Sequence, residues 1–415
     1  MKRIAIVGGG VIGLATAYFL RKQNHEVILI DKGVPGQGCS RGNMGWICPS
    51  LSHPVPAPGL VGQSMKWMLN RKGPLYVKPS AVPHLTPWLL EFTKYCTEDA
   101  FKRGTKAMID LCSTAFTLFD GLEEDGVAIE MHRNGILKVF LQESEVEESA
   151  LEHSLSAQNG FPKPELITSE KLQNMEPNLS PKLACGLYYP MERHVRPESL
   201  SKGLSAWLQA NGATIKHHTE IAKVIKSYDR VEAIQSATES IEADIFLMAT
   251  GAWSAMLGDH FGMSIPITAG KGYSITISEP TITFRQPIYF GSDGGITPFN
   301  GALRMGGTME LSGINTDIDQ KRVQNIRRSL EKYVRYEIKG QDELVWTGMR
   351  PMTPDGLPML GRAPHLSNAY IAAGHAMEGI TMSLSTGKVM GDMINGDTPA
   401  LDLTPFAPSR FKKLA

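Results

Sequence analysis

Neither sign of charge is in excess in this sequence: Lys plus Arg and Asp plus Glu are both 42, so the 415 residues carry a formal net charge of zero. With no basic stretch either, there is no electrostatic reason to expect nucleic acid as a partner. Cysteine is scarce, with five residues (Cys39, Cys48, Cys96, Cys112, Cys185), an odd number without a CxxC pair. Neither a disulfide frame nor a zinc or other metal site is expected from them. No run of 18 or more apolar residues occurs, so no transmembrane segment is expected. No signal-peptide pattern precedes the first apolar run, which follows directly on Met1-Lys2-Arg3. The expected compartment is reducing and cytoplasmic, and attachment at the inner face of a membrane is compatible with it. Internal repeats are absent too. Methionine is plentiful instead, at 20 residues, which suits core filling and a soft pocket wall.

What is present is concentrated first in Arg3 to Lys32. Ile4-Ala5-Ile6-Val7 reads as a fully buried strand. Gly8, Gly10 and Gly13 follow in GxGxxG spacing, then a helix pattern through Val11, Ile12, Ala15, Tyr18 and Phe19. A second strand, Val27 to Ile30, ends on Asp31. One glycine makes the tight turn, one admits a pyrophosphate to the backbone, and one lets helix and strand pack closely. The helix N-terminus offers N–H groups to phosphate, and Asp31 can accept from a ribose. Strand, glycines, helix, strand and acid in that order predict a dinucleotide site.

Further along, residues 33–59 form a Gly/Pro/Ser-rich segment too long for a plain connector. From 60 to 124 the pattern is helical, with Trp67, Leu69, Leu89, Met108, Leu111 and Leu122 among its apolar positions. Val127 to Leu141 alternates around Arg133-Asn134-Gly135 and reads as a hairpin. Glu143 to Asn159 is an acidic helix with a solvated face, and Gly186 to Tyr189 a strand. A helix begins at Pro197, a natural first position, and stops at Asn211-Gly212. Short strands follow at 213–217, 221–227, 230–236, 239–242 and 245–249. A β-rich block covers 266–316, a polar amphipathic helix 317–336, a Pro/Gly-rich loop 348–364, a strand 369–373 and a helix from about 378 to 394. A dinucleotide fold that completes its sheet at 245–250 and again at 369–373 has another domain inserted into it.

Three stretches carry a resemblance: the glycine run to Lys32, EADIFLMATGAWS (Glu242 to Ser254), and GMRPMTPDGLPMLGRAP with YIAAGHAMEGITMSLSTGK, between Gly348 and Lys388. Together they resemble flavoproteins of the D-amino-acid oxidase superfamily, nearest to the bacterial D-amino-acid dehydrogenase and glycine oxidase branch. The loop Ser40-Arg41-Gly42-Asn43-Met44-Gly45 is similar to the family's flavin-facing loop. The resemblance implies FAD, held without a covalent link although Trp46 and Cys48 stand near where some relatives attach flavin. Thr250, Gly251 and Trp253, and Gly374 and His375, each follow a strand, at the carboxyl edge where open α/β sheets bind ligands. Glu378, Gly379, Ile380 and Thr381 open the last helix, whose N–H groups would face the electron-rich side of the flavin. Val224 resembles the position whose backbone meets the adenine, and Gly348 opens the family's G-x-R-P motif.

Within that motif the resemblance assigns Arg350 to the substrate carboxylate. An arginine suits the task because its planar fork pairs bidentately with a carboxylate and so aims the Cα–H at the flavin. His53 and Tyr273 are secondary substrate candidates: His53 as a loop residue able to shift the amine's protonation, Tyr273 as a cap. No general base stands out. Relatives tend to carry a tyrosine ahead of the strand that here reads Gly294 to Pro298, and the glycines say little about which substrate side chain fits.

The expected fold is therefore α/β, with a discontinuous Rossmann-like FAD-binding domain (1–85, 195–264, 345–415) and an inserted antiparallel-sheet substrate domain (86–194, 265–344). The expected activity is oxidation of the Cα–N bond of a D-amino acid or a D-proline-like secondary amino acid. The electron acceptor would be oxygen, a quinone or a carrier protein. A sarcosine- or L-amino-acid-type oxidase of the same fold is the first alternative. A flavin-bound electron-transfer subunit is the second, and the intact Gly348–Pro351 motif argues against it.

Overall fold

The computed structural model describes residues 1–62, 64, 73–148 and 150–411. Trp67 and Leu69, read above as helical, lie outside the described residues. The N-terminal stretch folds as strand Arg3–Val7, helix Val11–Lys22 and strand Glu26–Ile30. These strands sit inside a six-stranded sheet ordered Thr214–Lys216, Glu26–Ile30, Arg3–Val7, Ile245–Met248, Ala369–Ala373, Met359–Arg362. The first five run parallel, with Ile4 beside both Val27 and Ile245, and the last is antiparallel. Ile4, Ala5 and Ile6 are all fully buried, because a parallel sheet is covered on both faces and takes continuous apolar strands.

On one face lie Val11–Lys22, Pro197–Ala210 and the last helix, Gly379–Asn395. A methyl group on Gly387 would come within 2.6 Å of the Ala15 backbone, so the first and last helices touch through their main chains. Helices Glu98–Cys112 and Ala115–Glu124 join this layer through Met108, Leu111, Phe119 and Leu122. The other face is covered by the small sheet Lys223–Ser227, Arg230–Gln235, Ser240–Glu242 and by helix Ser254–Phe261.

A second, larger sheet has Glu343–Met352 at its edge, then Thr268–Ser278, Ala302–Leu311 and Gly295–Phe299. Helix Gln320–Glu331 packs beneath it. Tyr273, Ile275 and Ile277 enter that core with Val323, Ile326 and Leu330. The two-residue period of a strand then puts Gly272 and Ser274 on the opposite face.

Three expectations are corrected. The 127–141 hairpin does not form: Met131–His132 and Ile136–Phe140 pair instead with Arg193–Val195 and Cys185–Tyr189. The turn at Gly135 is real, at φ +74°, but its arms find partners far along the chain, at 193–195 and 185–189, which no local turn signal encodes. The 348–364 loop is in part strand, Glu343–Met352 and Met359–Arg362. Pro351 is tolerated there because that strand is an edge, paired only with Thr268–Ser278, and needs no further donor. The 60–124 region is broken by a strand, Leu75–Val77, which pairs with Ala302–Leu311. Among the described residues no helix is long and apolar enough to cross a membrane.

Candidate functional site

A cleft runs along the carboxyl edge of the six-stranded sheet. Gly8 stands at φ +111°, and a methyl group there would lie 2.3 Å from the Ala249 carbonyl oxygen. On Gly13 it would lie 1.9 Å from the Gly8 oxygen, so helix and strand meet backbone to backbone. Gly10 differs: only Ser40 Oγ, at 3.5 Å, comes near, and the space above is the cleft itself. The helix that follows has no side-chain cap from Gly10, and its Val11 N–H donates to Ser40 Oγ at 3.0 Å. Ile12 also lines the cleft.

Asp31 takes the Gly9 N–H on Oδ2 and the Gly33 N–H on Oδ1, both at 2.7 Å. These bonds fix the carboxylate at the wall while each oxygen keeps a lone pair for a hydroxyl. The Lys32 ammonium lies 4.2 Å above the Trp253 ring, joining the two sides of the cleft. Thr250, Gly251 and Trp253 supply that opposite side. Beyond them Thr219, Glu220, Met256 and His260 close one end.

At the other end stand Cys39, Ser40, Asn43, Pro351, His375, Gly379 and Ile380. His375 Nε2 is 3.0 Å from Thr386 Oγ1, and burial pushes the imidazole down to about 3, so it is neutral at working pH. Gly374, at φ +93°, has no room for a methyl group, which would meet Thr353 Cγ2 at 2.6 Å. The 40–45 loop is tied down from several sides. Asn43 accepts from the Gly45 N–H at 2.8 Å and donates to the Met377 carbonyl at 3.3 Å. Met44 packs over Gly306, and Gly45 at φ +80° lies against the Val195 carbonyl. Thr381 Oγ1 accepts from the Cys48 N–H at 3.2 Å and donates to the Trp46 carbonyl at 3.1 Å, linking the segment after the loop to the last helix.

Arg350 reaches from the edge strand next to Pro351, on the same strand face as Gly348 and Trp346. It is half-buried, and burial lowers its pKa. Its Nη1 donates to the Thr308 carbonyl at 3.0 Å. Among the described residues no carboxylate forms an ion pair with it. Its space exists because Gly272 lies directly opposite Gly348: a methyl group on Gly272 would lie 2.5 Å from the guanidinium carbon. The arrangement is a shielded cation next to Pro351 and Cys39, which line the cleft, with donors suited to a carboxylate.

Other sequence candidates are not brought there. Tyr273 is 2% exposed and its hydroxyl donates to Glu310 at 2.8 Å, on the face of the sheet away from Gly272. His53 Nδ1 lies 3.4 Å from Thr105 Oγ1 and its ring stacks on Phe101, with burial pushing it down to about 4. Val224 is a core residue, and Ile221 of the same segment reaches the cleft instead. Glu378 caps no helix N–H and turns its side chain inward. Sequence reasoning missed Cys39, the 219–221 wall, Met256 and His260. It also missed Arg304, 2% exposed, whose Nη1 holds the Arg41 and Asn43 carbonyls at 3.0 and 2.7 Å. Its one signal was an arginine set between Leu303 and Met305 in a strand.

The model of a family described as FAD dependent oxidoreductase (DAO) matches residues 3–393. A D-amino acid dehydrogenase of Bradyrhizobium diazoefficiens is 29% identical over 420 residues, covering 99% of each chain. Among solved structures, glycine oxidase from Geobacillus kaustophilus superposes with a TM-score of 0.78 at 24% identity, covering 99% of this chain and 98% of that one. L-proline dehydrogenase from P. horikoshii gives 0.76 at 19% identity with the same coverage. These two likenesses show the shared fold.

Proposed function

The chain belongs to the family of FAD-dependent oxidoreductases, and on that footing we propose that it oxidises the Cα–N bond of a D-amino acid or a D-proline-like secondary amino acid. The product is an imino acid, which water converts to a 2-oxo acid with release of ammonia; a cyclic imino acid instead opens to a 2-oxo acid that keeps its amine. The cradle fits FAD: the open space over Gly10, the first-helix N–H groups beyond Val11, which Ser40 takes, and the fixed Asp31 carboxylate suit the ADP half. The uncapped start of the last helix suits the electron-rich side of the ring. Bound there, the flavin supplies the hydride acceptor.

The observation that carries the substrate reading is the Arg350 guanidinium, held beside the cleft without an anionic partner. It would bind the α-carboxylate and orient Cα–H. His375, neutral and paired with Thr386, holds its place and takes no proton from the substrate amine. The relative named a D-amino acid dehydrogenase supports the D-series over the sarcosine- or L-type alternative. The division into a flavin-binding part (1–85, 195–264, 345–415) and a substrate part (86–194, 265–344) belongs to the same proposal. Membership of the two large sheets supports it in outline, while strands Leu75–Val77 and Glu343–Met352 pair in the larger sheet and helices Glu98–Cys112 and Ala115–Glu124 pack on the six-stranded one.

The test is anaerobic bleaching of the flavin by a panel of D-, L- and N-methyl amino acids, which needs no electron acceptor. A charge-assisted pair contributes about 1.5–3 kcal/mol, so Arg350→Ala should weaken apparent affinity roughly tenfold to a hundredfold. Arg350→Lys should recover only part of it, a point charge being no substitute for the fork. Undiminished bleaching in Arg350→Ala, with FAD still bound, would place the carboxylate elsewhere.

A further inference from the structure

We propose that Glu378 is a proton-holding residue of the redox cycle: it takes up one solvent proton when two electrons and a proton enter the bound flavin, and releases it on reoxidation. The inference needs the flavin and not the identity of the substrate.

Its basis is position. Glu378 is the residue before the last helix, Gly379–Asn395, whose first residues line the cleft. An acid in that place ordinarily folds back onto its own helix N–H groups. This one makes no such bond. Its Oε2 lies instead 3.4 Å from Ser52 Oγ and 4.0 Å from Cys48 Sγ, leaving the helix N–H groups to a ligand. The ionisable groups that feel it are Cys48 from the loop, Cys112 from helix Glu98–Cys112, Tyr289 from the large sheet, and Glu192 from the turn before Arg193–Val195. None is a cation. The cation that acts on Glu192, Arg193, gives both its terminal nitrogens to Asp120, and Lys138 stands 5.5 Å from the Tyr289 ring centroid and 3.4 Å from Glu152.

Behind Glu378, Glu192 is 2% exposed. Its Oε1 accepts from the Ser50 hydroxyl and from the Ser50 N–H, while its Oε2 has no partner at all. Two carboxyls buried this deeply, with Arg193 already committed to Asp120, cannot both stay ionised. Burial accordingly raises Glu378 to about 7 and Glu192 to about 8.

The Gly379 end of the last helix would face the part of a bound flavin that gains negative charge when it is reduced. An ionised Glu378, one residue before the cleft-lining Gly379, would oppose that charge through the low-dielectric interior, and a neutral one would not. One proton therefore enters with the hydride and, above about pH 7, a second is taken up by the carboxylate, for two electrons in all. For a two-electron couple each tenfold change in equilibrium constant is 29.6 mV, so each proton adds about 30 mV per pH unit to the slope of the potential.

The experiment is a dithionite titration of the FAD-loaded enzyme against a reference dye, from about pH 6 to about pH 9, with Glu378→Gln alongside. The wild type should fall by about 30 mV per unit below about pH 7 and steepen towards about 60 above it, while Glu378→Gln stays near 30 throughout. A wild-type slope that never steepens, or one that steepens equally in Glu378→Gln, overturns the proposal. If Glu378→Gln loses FAD, the wild-type reduced-minus-oxidised infrared spectrum at about pH 8 decides. It should show a protonated carboxyl appearing on reduction, and its absence overturns the proposal.

Discussion

The sharpest test of the Arg350 reading is a substitution that does not touch Arg350. Gly272 has an ordinary strand conformation, so alanine meets no backbone penalty there and removes some of the flexibility that makes glycine a poor strand residue, worth roughly 0.5–1 kcal/mol. Its new methyl carbon would lie 2.5 Å from the guanidinium carbon and 2.6 and 2.8 Å from Nη2 and Nη1. Non-bonded carbons rest at about 3.5–4.0 Å, so the guanidinium must shift by roughly 1 Å or more. The crowding costs about 1–3 kcal/mol if nothing moves, but the affected atoms are the end of a flexible side chain and yield. Gly272→Ala should therefore keep its FAD and stay within about 1 kcal/mol of wild-type stability. Misplacement by about 1 Å loses as much as a hundredfold in rate. Amino-acid-driven flavin bleaching, followed by stopped flow, should slow tenfold or more, with the larger part of the loss repeated in Arg350→Ala and little extra in the double variant. Additive losses in the double variant, or full activity in Gly272→Ala, would refute the claim that this glycine makes room for a substrate-holding arginine.

Gly10→Val should fold normally, since only Ser40 Oγ lies near its missing side chain, yet purify colourless and fail to take up added FAD. Acid precipitation of the wild type should release the flavin into the supernatant, because Cys48 is buried and engaged with Thr381; flavin remaining in the pellet would show a covalent link. For Glu192 the folded value, about 8, stands above the ordinary 4.5. Between those values the native state binds the proton that the unfolded state has lost, so stability falls as pH rises through the window. Glu192→Gln removes that fall, and denaturant titrations should find the variant gaining on the wild type from about pH 5 to about pH 8; a constant difference would show that Glu192 does not titrate there.

The parts of the fold legible in the sequence were those encoded locally. The strand–glycine–helix–strand unit ending at Asp31 is written in thirty consecutive residues, and the Pro197–Ala210 helix by a proline at one end and Asn211-Gly212 at the other. What could not be read depends on distant partners. Residues 131–140 alternate as a hairpin does, but pair with 185–195, and nothing in the alternation names its partner. Pro351 signals a loop until the strand containing it is known to be an edge. Tyr273 and Gly272 are adjacent, so a candidate site on that strand had to be one face or the other. Aromatic size drew attention to Tyr273, whereas the face that matters is the one with no side chain at all.

The wall holding Arg350 is also where the fold accepts unfavourable terms. Thr308, whose carbonyl accepts from Arg350 Nη1, sits at φ +60°, a left-handed conformation strained for a β-branched residue. Such a backbone costs of order 1–3 kcal/mol and persists only where its surroundings impose it. Beside it Ser274 Oγ and Thr308 Oγ1 are buried without partners, and the half-buried guanidinium has no carboxylate partner among the described residues. These terms would relax together if the strand pair shifted. They are held because Gly272 and Gly348 oppose each other in register, and because a side chain on Gly272 would collide with Arg350. An anion supplied by a substrate would offset the largest of them, the uncompensated charge, so ligand binding and local stability are linked at this wall. A carboxylate substrate analogue should accordingly raise the melting temperature of the wild type and leave that of Arg350→Ala unchanged.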